Sequence, residues 1–276
     1  MTIDWAQSLV DVAAAAAFTL LFLAILLAAK WFRGLLSPFN HDEELVKRDN
    51  PALGLALGGY FIAVCLVFVG AVSGPASDLA TDLLTVAGYA ALGVLLLNAA
   101  DFLLDKFTLT DFPAESEVVE KRNLGIGAVK AAFYIATGLI AGGAVSGEGG
   151  GVAATLVFFV IGQATLFLAA RLYETITPFR VQDELASGNT AAAVAFSGTI
   201  VAIGIILGDA VSGDFLGWRD GLIWYAKSVV VCLIALPIAR FLMDKLILIG
   251  GDINREISED KNLAAGFVEA AVAVSA

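Results

Sequence analysis

The sequence predicts an all-α polytopic membrane protein, with eight transmembrane helices arranged as two parallel four-helix repeats, each made of two related helical hairpins. Three observations carry that expectation. Hydrophobic residues make up 59% of the 276-residue chain and charged residues only 16%. Apolar runs of about twenty residues, the length that crosses a bilayer core, recur from end to end. One loop motif returns four times at a regular spacing, the mark of an internal repeat.

The spans are expected at roughly 8–32, 51–72, 79–104, 124–145, 150–172, 190–211, 217–243 and 263–276. The opening "MTIDWAQS" lacks the basic stretch of a signal peptide, and the run from Leu9 to Phe32 is too long for a cleaved one, so the first span is expected to stay. The eighth, fourteen residues after Asn262, covers about 21 Å and is expected to be short or truncated. Spans two, four, six and eight are rich in Gly and Ala ("GLALGG", "GLIAGG", "VAIGIILG"), whereas the odd ones carry more Leu and Phe. Small residues allow helices to approach closely, so the even spans should pack centrally and the odd ones should meet lipid.

The four motif copies are "EELVKRDNPALGLALGG", "SEVVEKRNLGIGAVKAA", "VQDELASGNTAAAVAFS" and "NREISEDKNLAAGFVEA". Each sets an acid six residues before an asparagine: Glu44 and Asn50, Glu117 and Asn123, Asp183 and Asn189, Glu256 and Asn262. In the first three copies a Ser-Gly follows at Ser73, Ser146 and Ser212 and ends the span. The asparagines are 73, 66 and 73 residues apart, so copies one and three, and two and four, share a period of 139. That period also lays "DFLLDKFTL" (101–109) on "RFLMDKLIL" (240–248) and divides the chain into units 1–147 and 148–276.

The formal net charge is −11, but the acids are dispersed through short loops, which excludes a nucleic-acid partner. Thirteen of the sixteen Lys and Arg residues (Lys30, Arg33, Lys47, Arg48, Lys106, Lys121, Arg122, Arg171, Arg180, Arg240, Lys245, Arg255 and Lys261) lie in or beside the motif loops. By the positive-inside rule those loops are expected in the cytoplasm and both termini outside. Cys65 and Cys232 fall mid-span and should be free thiols. With one histidine, no cysteine cluster and no Gly-rich phosphate loop, neither enzymatic activity nor a metal or other cofactor is expected.

On the four-span unit, the acid-x5-Asn loop and the small-residue helix after it, as in "LASGNTAAAVAFSGT", the chain resembles the YjfL-like bacterial inner-membrane family, a domain of unknown function numbered 350, in two tandem copies. The resemblance implies a polytopic α-helical protein of the bacterial inner membrane and supplies no reaction.

Two readings stand for the recurring asparagine. Asn is a strong helix N-cap, and Pro51 after Asn50 suits a first helical turn; alternatively, four carboxamides and four carboxylates ring an entrance that attracts cations. "HDEELVKR" and "ESEVVEKR" read as short amphipathic helices at the interface with solvated acids. Lys130 lies seven residues into its span, where an unpaired lysine costs about 2.5–3.5 kcal/mol. Its counterpart across the 139-residue period is Glu269, and that of Asp101 is Arg240, so the sequence predicts Lys130–Glu269 and Asp101–Arg240 pairs across a two-fold axis. They serve either as register locks or as a polar path. Lys227 has no charged counterpart and is given no role. Two functions follow: an ion or small-solute channel or transporter, or a non-transporting sensor of membrane stress or scaffold acting through the motif loops. Besides lipid, a second copy of the chain or a cytoplasmic or membrane protein is the partner to expect.

Overall fold

The computed structural model describes residues 5–74, 77–242 and 252–275. Twelve helices are found among them: α1 (Trp5–Leu36), α2 (His41–Val46), α3 (Pro51–Val72), α4 (Leu79–Phe107), α5 (Ala114–Val119), α6 (Leu124–Val145), α7 (Gly151–Ile176), α8 (Val181–Ala186), α9 (Thr190–Ala210), α10 (Trp218–Leu242), α11 (Ile253–Ser258) and α12 (Leu263–Ser275). Six of the described helices (Ser8–Leu36, Pro51–Val72, Leu79–Phe107, Leu124–Val145, Gly151–Ile176 and Thr190–Ala210) have the length and apolarity to cross a membrane. α12, at 13 residues, is too short. α10 is a 25-residue helix with Pro237 inside it.

The motif asparagines start the inner helices. The side-chain oxygen of Asn50 accepts from the backbone N–H groups of Ala52 and Leu53, that of Asn123 from Ile126, that of Asn189 from Ala191 and Ala192, and that of Asn262 from Ala264 and Ala265. These donors have no partner within the helix, which is why an N-cap is favoured there. The residue before each asparagine (Asp49, Arg122, Gly188 or Lys261) has a positive φ that turns the chain from the short helix into the long one.

The small-residue helices stand in single file, α3 against α6, α6 against α9 and α9 against α12, with α4, α7 and α10 beside them. One register is used at every join. Counted from the asparagine, the fourth residue of each helix meets the second of the helix before it, as Gly127 meets Ala52, Ala193 meets Gly125 and Gly266 meets Ala191. Gly138 meets Ala63 as Gly204 meets Ala136, and Gly59 meets Ala131 as Gly198 meets Ala270. A Cβ on Gly59 would lie 2.4 Å from the Ala131 Cα, so only glycine permits that approach. Close backbone packing of this kind holds helices together where lipid removes the hydrophobic drive.

The loops repeat the pattern. The Asn50 amide donates to the Val118 carbonyl at 3.0 Å, Asn123 to Leu185 at 2.8 Å and Asn189 to Ile257 at 2.8 Å, so each loop is tied to the next. The file has a consequence for symmetry. α6 stands between α3 and α9, and α9 between α6 and α12, so the equivalent central helices of the two units do not face each other as a two-fold arrangement would require.

Candidate functional site

Four ionisable side chains from three spans meet near the loop end of the first unit. Asp101 on α4 is the hub: its carboxylate lies 2.7 Å from the Arg33 guanidinium of α1 and 3.2 Å from the Lys130 ammonium of α6, and accepts from the Tyr134 hydroxyl at 2.7 Å. Lys130 also reaches Asp105, one turn further along α4, at 2.9 Å. Arg33 donates to the Tyr134 hydroxyl at 2.8 Å and lies over the rings of Tyr134 and Tyr60. Two positive and two negative charges leave the node neutral, the condition under which charged groups tolerate a low-dielectric setting.

The node is buried but reachable. Lys130 and Asp101 are buried, while the Asp105 side chain is 40% exposed. A cleft of about 300 Å³ opens between the ends of α1 and α4 and the α5 helix, with Arg33, Asn98, Asp101, Asp105, Lys130 and Tyr134 in its wall. Asn98 donates to the Tyr60 hydroxyl at 2.9 Å, and its side-chain oxygen is buried without a hydrogen-bond partner. At the rim stands His41, whose Nε2 is 2.7 Å from the Ser37 hydroxyl. Burial and the nearby Arg33 charge hold its pKa below the ordinary 6.5.

The expected Lys130–Glu269 pair is corrected. Lys130 takes its counter-ions from α4, the neighbouring helix of its own unit, while Glu269 on α12 accepts a hydrogen bond from the Tyr173 hydroxyl of α7 at 3.1 Å. A lysine finds the nearest carboxylates, and those stand one hairpin away rather than across the file. Of the other expected pair, Asp101 is held by Arg33, Lys130 and Tyr134, while the Arg240 side chain, with Asp244 and Lys245, lies outside the described residues. The 139-residue period nevertheless carries meaning, because it exchanges the sign of both members at once: Asp101 and Lys130 become Arg240 and Glu269. Complementarity is thus kept within each unit in the sequence.

The motif acids are also not what solvated interfacial helices require. Glu44 and Glu117 are buried; Glu44 pairs with Arg48 at 3.1 Å, and Glu117 pairs with Lys121 and accepts from Asn123. Glu256 accepts from Asn262 at 2.8 Å. In the third loop Glu184, not Asp183, accepts from its asparagine, Asn189, at 2.8 Å, because that loop is one residue shorter between acid and asparagine. Asp183 faces solvent beside Arg180. Glu117, Glu184 and Glu256 therefore orient the asparagine that caps the next span, while Glu44 bonds Asn50 only through its backbone carbonyl, and the ring of free carboxylates around an entrance does not form. Lys227 is exposed on the outer face of α10, where its long stem can carry the charge to the interface.

Sequence reasoning missed Arg33, Asp105 and Tyr134. A signal was present: Asp101 and Asp105 are four residues apart, one face of one helix.

The chain matches the model of a family described as Domain of Unknown Function (DUF350) twice, over residues 4–145 and 149–276. It is similar to a protein named UPF0719 transmembrane protein from Aquifex aeolicus (strain VF5), with 19% identity over 239 residues that cover 83% of this chain and 87% of the relative. No solved structure matches.

Proposed function

The chain belongs to the DUF350 family as two tandem copies, and on that premise we propose that it is a transport protein of the bacterial inner membrane, passing an ion or small polar solute along a path that begins at the Lys130 cleft. One observation supports this reading above the others: the charge node lies in the wall of an open cleft, where a purely structural ion pair would have no use for access. Intramembrane ionisable groups facing a cavity are pathway groups by default. The paired acids and bases, with Asp105 at the mouth, give the site affinity for either sign of small ion and a route for proton exchange between carboxylates. The bias of lysine and arginine toward loops 33–50, 105–123, 173–189 and 244–262 supports a cytoplasmic mouth, with both termini outside.

A second reading, a sensor or scaffold that transports nothing, draws on the glycine-sealed file, whose helices touch at backbone distance and leave no room for a path between them. Flux separates the two. Purified protein in liposomes carrying an ion- or pH-sensitive dye should show flux above protein-free vesicles, and Lys130→Met should abolish it in folded protein. Leakage equal to empty vesicles for protons, sodium, potassium and chloride would favour the second reading.

A further inference from the structure

The file of inner helices is open at both ends, and the two ends carry the two halves of the join that the chain already makes three times. Where α3 meets α6 the leading helix offers the residues at positions two, nine and thirteen after its asparagine and the following helix those at four, eight and fifteen; the first and third of these contacts recur between α6 and α9, and the first and second between α9 and α12. Among the described residues α12 leads no further helix. Its residues at the leading positions are Ala264, Ala271 and Ser275, all exposed, though the equivalent Ala52 and Ala63 of α3 and Ala191 of α9 are fully covered. α3 follows nothing, and its following positions begin with Gly54 and Gly58; a Cβ on Gly58 would meet nothing within 4 Å. Glycines four apart on a lipid-facing helix allow close helix–helix approach. Small residues are thus kept at positions that meet no other long helix among the described residues, Gly54 having only the Leu45 side chain of its own loop within 4 Å of a Cβ.

The loops agree. Asn123 and Asn189 each use the side-chain amide twice, once on the acid of their own loop and once on a carbonyl of the next loop. The Asn262 amide donates to Glu256 and stands exposed at the end of the file. At the other end the Leu45 carbonyl lies five residues before its asparagine, the same place as the acceptors Val118 and Ile257. We propose that a second copy of this chain continues the file head to tail, α12 of one copy seated on α3 of the next, with Asn262 donating to Leu45 across the join. Cys65 and Val69 of α3 stand where α6 and α9 carry glycines, so this join opens toward the Ser-Gly end, at the level where α12 reaches Ser275. A join of unlike faces closes into a ring or runs on as a chain, and in either case every copy keeps the same orientation in the membrane.

The test uses the full chain in membranes, with Cys65→Ser to remove the exposed thiol. Gly58→Cys and Ala271→Cys are made separately, oxidised alone and then co-expressed. A disulfide-linked dimer should form when both variants are present and not when either is alone. Links within Gly58→Cys alone of equal yield, or no link in the mixture, would overturn the proposal. In parallel, native mass spectrometry should find the parent as an oligomer and Gly58→Leu and Ala271→Leu as monomers with unchanged melting temperature. A monomeric parent, or an oligomer indifferent to both substitutions, would equally overturn it.

Discussion

Replacing Asp101 by Leu removes the one acceptor that Arg33, Lys130 and Tyr134 share. Arg33, with a side chain 17% exposed, is left with a tyrosine hydroxyl and two ring faces, and Lys130, 8% exposed, keeps only Asp105 at the cleft mouth. Breaking a buried ionic network by deleting one member costs about 3–5 kcal/mol, because the remaining charges stay desolvated. Against a typical stability of about 5–15 kcal/mol this is a severe loss. Asp105→Leu is the matched control. Its carboxylate is 40% exposed and water can take over its role, so the expected cost is about 0–1 kcal/mol. A triple variant, Arg33→Met, Asp101→Leu and Lys130→Leu, should regain most of the loss, since the desolvation penalty leaves with the charges. Thermal unfolding of the three variants and the parent in one detergent, followed by near-UV circular dichroism, reads the order. Equal costs at Asp101 and Asp105, or a triple variant weaker than Asp101→Leu, would refute the hub.

Three further outcomes follow from the same geometry. Asn189→Ala should cost about 2–3 kcal/mol, combining a lost cap with a stranded Ile257 carbonyl, whereas Asn262→Ala, exposed and tied only to its own loop, should cost about 1 kcal/mol in the monomer; denaturation midpoints in detergent check the difference. Gly70→Val should prevent folding, because a Cβ there would lie 2.1 Å from the Gly142 carbonyl oxygen, while Gly88→Val, with nothing within 4 Å, should express and melt like the parent. The His41 pKa is lowered in the folded state, so the unfolded chain takes the proton first as pH falls: its contribution is full above 6.5 and is lost as pH drops through the lowered folded value, and His41→Gln should remove that part of the acid lability in melting scans between about pH 7 and 5.

Much of the architecture is legible in the sequence because the physics behind it is local. Apolar run length anticipates the six described helices long and apolar enough to cross a membrane, out of the eight spans expected, Asn50, Asn123, Asn189 and Asn262 cap as their chemistry prescribes, and the glycines and alanines of α3, α6 and α9 report the helices that touch. The partners of Lys130 are not legible in the same way. Composition and period place Lys130 and Glu269 at equivalent positions, but equivalence in a file means separation by one helix, whereas in a two-fold bundle it means apposition. Only the order of the helices decides between them, and it is set by the register of backbone contacts such as Gly204 on Ala136, which no single residue announces. The third loop shows a smaller lesson: an acid six residues before the asparagine fits the spacing, yet only Ser187 and Gly188 separate α8 from Asn189 where the other loops have three residues, and this brings Glu184 into place.

The claim that the charge node is the mouth of a path rests on water reaching it from the motif-loop side. The most direct measurement is the sidedness of thiol labelling at Asp105→Cys in a Cys65→Ser background, with the buried Cys232 left in place and a charged, impermeant reagent applied to right-side-out and inverted vesicles. Ser73→Cys and Lys47→Cys mark the two faces. The account predicts that position 105 labels from the same side as position 47 and is silent from the side of position 73. Labelling of position 105 from the Ser73 side, or no labelling from either side in folded protein, would contradict it.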